Sequence, residues 1–188
     1  MRPGRVVAIG ASLGGLAAFE AVLRALPQDF GLPVILVQHR RQETDSRLCE
    51  LLQRHSALPI SEPEDRAPLE AGRVYLAPAG YHLMVERDVF FLSVDPPVSN
   101  ARPSIDVLFD SLAEAYGDRA VAVVLTGASD DGAEGARAIK QSGGKVFVQN
   151  PETAQAPTAP RSALAQTEVD GVLELPAIAE LIASLKDG

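Results

Sequence analysis

One cysteine, Cys49, is all the sequence has, and a lone cysteine excludes an internal disulfide and fits a reducing compartment. It falls in an amphipathic stretch, which points to packing rather than reactivity. The three histidines, His39, His55 and His82, are scattered, and no cysteine pair accompanies them, so no metal site is expected and no cofactor is required. Long apolar runs are also missing. The longest, such as Ala120 to Leu125, reach about six residues, far below the ~18 needed to cross a membrane. Met1 to Arg5 leads directly into an apolar strand without a signal-peptide pattern, so the expectation is a cytoplasmic chain with no regulatory module before that strand. Positive charge is short as well, with 17 Lys and Arg against 25 Asp and Glu and a net charge of −8. That balance argues against a nucleic-acid backbone as ligand. It is uneven, however: residues 1–60 carry net +2 and the remainder net −10.

What is present is enough apolar material, 46% of 188 residues, to bury one good core. No repeat, low-complexity segment or linker divides the chain, so residues 1–188 read as a single domain. The organising stretch is VVAIGASLGG, Val6 to Gly15. Val6 to Ile9 is an unbroken β-favouring run of the kind found at the centre of a parallel sheet, and a helical pattern follows from Leu16 to Leu26. Ser12 sits at the corner between them. Gly10-Ala11-Ser12-Leu13-Gly14 fits G-x-S-x-G, whose small neighbours allow a tight turn that exposes the serine hydroxyl, with unpaired helix N–H groups nearby for an oxyanion. The same residues also admit simpler roles. A serine before a helix is commonly an N-cap, and a glycine turn after a first strand is common in α/β folds. A dinucleotide site is disfavoured because Ser12 replaces the second glycine of G-x-G-x-x-G.

A second buried strand, Val34 to Val37, ends in Gln38-His39-Arg40-Arg41, and a helix is expected from Thr44 to His55 with Thr44 or Asp45 as cap. Ligands of open parallel sheets bind outside the strands' carboxyl ends, so Ser12 and His39 should share one edge. Arg40, Arg41, Arg47 and Arg54 supply most of the basic excess; they are either a solvated face or a docking surface for an acidic partner. Short strands are expected at Pro59 to Ser61 and Arg73 to Ala77. Tyr81 to Glu86 and Val89 to Val94, separated by Arg87-Asp88, read as an antiparallel hairpin added to the parallel sheet. Ser104-Ile105-Asp106 caps a further helix, where Ser104 and Asp106 have an adequate explanation as capping groups. The strand Ala120 to Leu125 then delivers Thr126-Gly127-Ala128-Ser129-Asp130-Asp131-Gly132, and Asp130 or Asp131 could cap the helix Ala133 to Gln141. The strand Lys145 to Val148, a proline-rich loop, a short helix, the strand Val172 to Leu175 and a helix from Pro176 complete a doubly wound, mostly parallel α/β sheet with helices on both faces.

Three strand ends carrying Ser, His and Asp make a nucleophile, a base and an orienting acid possible in one crevice. The order Ser, His, Asp is not that of an α/β-hydrolase. The pattern resembles the catalytic domain of the chemotaxis methylesterases (CheB), through IGASLGG at Ile9–Gly15, LP at Leu26-Pro27, VQH at Val37–His39, VYLAP at Val74–Pro78, ARPSIDVLF at Ala101–Phe109, LTGASDDGAEG at Leu125–Gly135 and GG at Gly143-Gly144. These pieces occur in family order over nearly the whole chain. The resemblance implies Ser12, His39 and Asp131 as the catalytic residues, demethylation of receptor glutamate methyl esters with receptor deamidation as a second activity, and chemoreceptor cytoplasmic helices as partners. The family's usual N-terminal phosphoacceptor domain has no counterpart in these residues, from which activity without phosphorylation is expected. Leu13, Ala128-Ser129 and Ala159 depart from the family's Thr, Met-Gly and Met. Backbone N–H groups of Leu13 and Ala128 are the oxyanion-hole candidates. Two other classes remain at this level: a non-catalytic adaptor of the same fold that binds receptor or kinase partners, and a nucleotide-binding module on the Gly10–Gly15 turn.

Overall fold

The computed structural model describes residues 4–39 and 47–186. Strand β1 (Val6–Ala11) is buried at all six positions, because it lies at the middle of a sheet covered on both sides. Its alternating side chains face two separate cores. Val7, Ile9 and Ala11 meet one face together with Phe19, Val22 and Leu23 of α1 (Gly15–Ala25), Leu52 of α2 (Leu48–Gln53) and Ile178 and Ile182 of α6 (Leu175–Ser184). Val6 and Ala8 meet the other, with Leu108, Phe109 and Leu112 of α3 (Ile105–Tyr116), Ala136 and Ile139 of α4 (Ala133–Gln141) and Ala163 of α5 (Thr158–Gln166). Fully buried Phe and Leu side chains such as Phe19, Leu23 and Phe109 each contribute about 1.5–3 kcal/mol relative to exposure, so each face holds its helices by ordinary apolar burial.

The remaining strands of the main sheet are β2 (Val34–Gln38), β3 (Ile60–Ser61), β4 (Val74–Leu76), β7 (Ala120–Val124), β8 (Lys145–Gln149) and β9 (Gly171–Leu173). They run parallel in the order β3-β4-β2-β1-β7-β8-β9. The register Val7↔Val34 and Val7↔Val121 aligns the carboxyl ends of β2, β1 and β7. The chain leaves β1 toward β2 on one side and returns to β7 on the other, which opens a crevice at that point.

The hairpin of β5 (His82–Glu86) and β6 (Val89–Ser93) turns through Arg87 and Asp88, both at positive φ (51° and 64°), as a two-residue turn with matching twist requires. It forms its own two-stranded sheet instead of extending the main one, since its buried side chains Leu83, Val85 and Phe90 belong to the core on the α3 side. Helix α2 starts at Leu48, later than the pattern suggested, and the expected caps Thr44 and Asp45 lie outside the described residues. Cys49 packs half-buried against the core, as its place in the pattern implied. Among the described residues no helix is long and apolar enough to cross a membrane.

Candidate active site

Ser12 follows β1 directly, and the chain reverses into α1 through Gly14 at φ +84°, where a side chain would be strained. The cap position of α1 belongs to Gly14 and carries no side-chain hydrogen bond, so Ser12 is not spent as a helix cap. Its backbone is fixed from two sides. Ser12 N–H donates to Thr126 O at 2.9 Å, and Thr126 Oγ1 donates to Leu13 O at 2.8 Å, which ties the turn to the end of β7. From the end of β2, Gln38 Nε2 donates to both Ser12 O (2.8 Å) and His39 O (3.1 Å), bridging two of the three candidate positions. Ser12, Leu13, Gln38, His39, Glu20 and Gln155 line one open cleft.

His39 N–H continues the β1 pairing by donating to Ala11 O, and its side chain turns toward β7, where Nε2 lies 2.6 Å from Asp131 Oδ2. Asp131 is fully buried and accepts three further hydrogen bonds: from Ser104 Oγ (2.7 Å), Ile105 N–H (2.7 Å) and Asp106 N–H (3.0 Å). Burial alone would raise its pKa, but the bonds from His39, from the two helix N–H groups and from Ser104 outweigh that and hold it below the usual carboxylate range. A buried anion that accepts from Nε2 fixes that nitrogen as the protonated one and leaves Nδ1 of His39 as the basic atom. Asp130, its neighbour, is exposed.

Capping departs from the simple sequence expectation. Neither Asp130 nor Asp131 caps α4, whose cap residue is Gly132; Asp131 instead reaches across to the start of α3. Ser104 does cap α3, accepting from Val107 N–H, but Asp106 does not serve its own helix. Its Oδ1 accepts from Gly132 N–H (2.9 Å) and Gly135 N–H (2.7 Å) at the start of α4. Burial pushes Asp106 up to about 7, the Gly135 bond opposing this and the Asp131 charge adding to it. His82, which carried no role in the sequence, is buried and accepts from Ser104 N–H through Nδ1 (3.3 Å) while Nε2 faces Pro96 O (3.1 Å). Sequence reasoning missed Gln38, Thr126 and this Ser104–Asp106–His82 support; an internal amide beside a candidate base was the available signal for Gln38, and nothing local marks the others.

The 126–129 loop approaches Ser12 so closely that a Cβ at Gly127 would stand 3.2 Å from Ser12 Cβ. Leu13 and Ala128 flank this approach, both exposed, and no backbone acceptor for either N–H is found among the described residues. Arg47 and Arg54 bracket α2 and are exposed, whereas Arg40 and Arg41 lie outside the described residues. No cluster of potential metal ligands occurs among the described residues.

A family model described as CheB methylesterase matches residues 7–182. A Leptospira interrogans protein, named provisionally as a protein-glutamate methylesterase/protein-glutamine glutaminase, is 43% identical over 180 residues, covering 95% of this chain and 93% of its own length. Protein-glutamate methylesterase/protein-glutamine glutaminase 2 of Anaeromyxobacter dehalogenans is also 43% identical, over 96% of this chain, but this chain spans only 53% of it. The crystal structure of the Thermotoga maritima CheB methylesterase catalytic domain superposes with a TM-score of 0.92 at 33% identity, covering 97% of this chain and 98% of that one.

Proposed function

The chain belongs to the CheB methylesterase family, and from that membership we propose that it is a serine hydrolase that converts glutamate methyl esters on chemoreceptor cytoplasmic helices to glutamate and methanol. The observation that carries the reading is the 2.6 Å contact of His39 with buried, ionised Asp131 at the strand ends, in the cleft that Ser12 also lines. In this mechanism Ser12 Oγ attacks the ester carbonyl and its proton passes to Nδ1 of His39. Asp131 stabilises the imidazolium and keeps its orientation. The N–H groups of Leu13, just before α1 where partial positive charge is already present, and of Ala128, in the loop after β7, hold the oxyanion. His39 returns the proton to the departing methoxide, then activates the water that frees Ser12. A glutamine side chain enters the same sequence with ammonia as leaving group, which makes deamidation the second activity. The described residues hold every side chain this mechanism uses. Acidic receptor helices would dock on Arg40, Arg41, Arg47 and Arg54.

The test is methanol release from a methylated receptor fragment. Wild type should release it, and Ser12→Ala should lose on the order of 10⁶ in kcat with an unchanged circular-dichroism spectrum. A folded Ser12→Ala protein that keeps a tenth of the activity excludes Ser12 as nucleophile.

A further inference from the structure

The N-termini of α3 and α4 are capped crosswise. Asp131, just before α4, receives the first two N–H groups of α3, and Asp106, in the first turn of α3, receives Gly132 N–H and Gly135 N–H of α4. Ordinarily a helix is capped by its own preceding residue; α3 keeps that cap in Ser104 and adds the distant Asp131, whereas α4, whose cap residue Gly132 has no side chain, relies on the distant Asp106. The exchange is possible only because the helices touch. A Cβ at Gly135 would stand 2.6 Å from Phe109 Cβ and 3.0 Å from Asp106 Cα, and Gly132 at φ +103° faces Ile105. The two carboxyl groups are therefore parts of one rigid joint, and one of them holds His39.

We propose that Asp106 is a positioning residue of the catalytic site, fixing the Asp131 carboxylate through the crossed caps and, by its own protonation, adjusting the charge that Asp131 presents to His39. The proposal rests on the assignment of Asp131 as the catalytic acid. Asp106 touches neither substrate nor the reacting atoms; it acts through Asp131 alone. Its ionisation near neutrality, with a pKa pushed up to about 7 chiefly by burial, occurs beside a carboxylate that stays charged. Other charged or titratable groups on the packed elements are Asp110, Glu114 and Tyr116 on α3, Glu134, Arg137 and Lys140 on α4 and His82 and Glu86 on β5. Glu134 and Arg137 pair with each other, Asp110 feels that pair, and His82 reaches Asp131 only through Ser104. Losing the Asp106 proton thus places a second negative charge one residue contact away from the imidazole and strengthens its hold on a proton.

The experiment follows the His39 imidazole by NMR across pH in wild type, Asp106→Asn and Asp106→Ala, and measures kcat and KM on the methylated receptor fragment. In wild type the His39 signals should move in two steps, its own and that of Asp106; in Asp106→Asn only one step should remain. Asp106→Ala should lower kcat about 100-fold, the usual cost of a misplaced catalytic group, with KM within about 2-fold of wild type. Asp106→Asn, whose amide oxygen still accepts from Gly132 and Gly135, should recover to within about 10-fold. If Asp106→Ala fails to fold, Asp106→Asn decides alone. A His39 titration identical in wild type and Asp106→Asn overturns the proposal, as does a loss confined to KM. The NMR reading needs no substrate, so a wild type that releases no methanol would sink the methylesterase reading while the two-step titration still judged Asp106.

Discussion

Asp131 makes four hydrogen bonds with one carboxylate, and every donor needs an anion or a lone pair facing it. Asp131→Asn puts an amide N–H against at least one of these donors and leaves His39 free to choose the wrong tautomer. That change should cost about 10⁴ in kcat, while Asp130→Asn, on an exposed neighbour, should cost little; steady-state kinetics on the methylated fragment distinguishes the two. If Asp130→Asn proves the damaging change, the orientation of this loop is wrong. The choice between the two aspartates illustrates what the sequence could and could not yield. Strand ends at Ser12, His39 and the 130–131 pair were legible because continuous apolar runs stop there. That Asp131 caps α3 was not, because its partners at 104–106 lie far away in sequence and a capping signal in a sequence is read only locally.

At the scale of elements, the same limit explains why Asp106 was read as a cap for its own helix. Periodicity reported α4 to the residue, since amphipathic spacing is a local property, though it drew α2 longer than the Leu48–Gln53 observed. It is silent on how close two helices come, which here depends on Gly135. Gly135→Ala should destabilise the fold by about 2–3 kcal/mol in chemical denaturation, because its Cβ meets backbone at Asp106 and Cβ at Phe109 and neither can rotate aside. Gly31→Ala, with nothing within 4 Å, is the control and should be neutral or raise stability by up to about 1 kcal/mol. Another joint is electrostatic. Asp170 accepts from Lys140 Nζ at the end of α4, from Lys145 Nζ and from Val146 N–H on β8. Burial works against its ionisation, but these donors prevail and lower its pKa from 3.8 to about 2. A lowered folded pKa contributes stability above the unfolded value and loses it as pH falls through the folded one. Asp170→Asn should therefore be less stable than wild type at neutral pH, and the difference should shrink between pH 3.8 and about 2. Parallel unfolding curves at both ends of that range, with an undiminished difference at the acid end, would remove Asp170 from this role.

Across the whole molecule the basic surplus lies in residues 1–60, the segment that delivers Ser12 and His39, while the remainder carries net −10. In the proposed docking, a substrate helix rich in glutamate would be repelled by the acidic remainder of the chain and drawn toward its basic segment. Arg54 is exposed just past α2, whereas Arg24 is engaged with Glu20 and His55 and offers less. Docking of this kind acts on encounter and residence and not on the transition state, so its loss should appear in KM. Arg54→Glu and the double change Arg40→Glu/Arg41→Glu should each raise KM several-fold at low salt with kcat nearly unchanged. Raising ionic strength should lift the wild-type KM toward theirs, since the screening length is already only ~8 Å under physiological conditions. The measurement is a pair of constants for each protein at low and high salt on the methylated receptor fragment. A KM that ignores both the substitutions and the salt would show that the arginines are a solvated face, and would move the search for substrate recognition to the exposed Leu13 and Leu16 at the cleft itself.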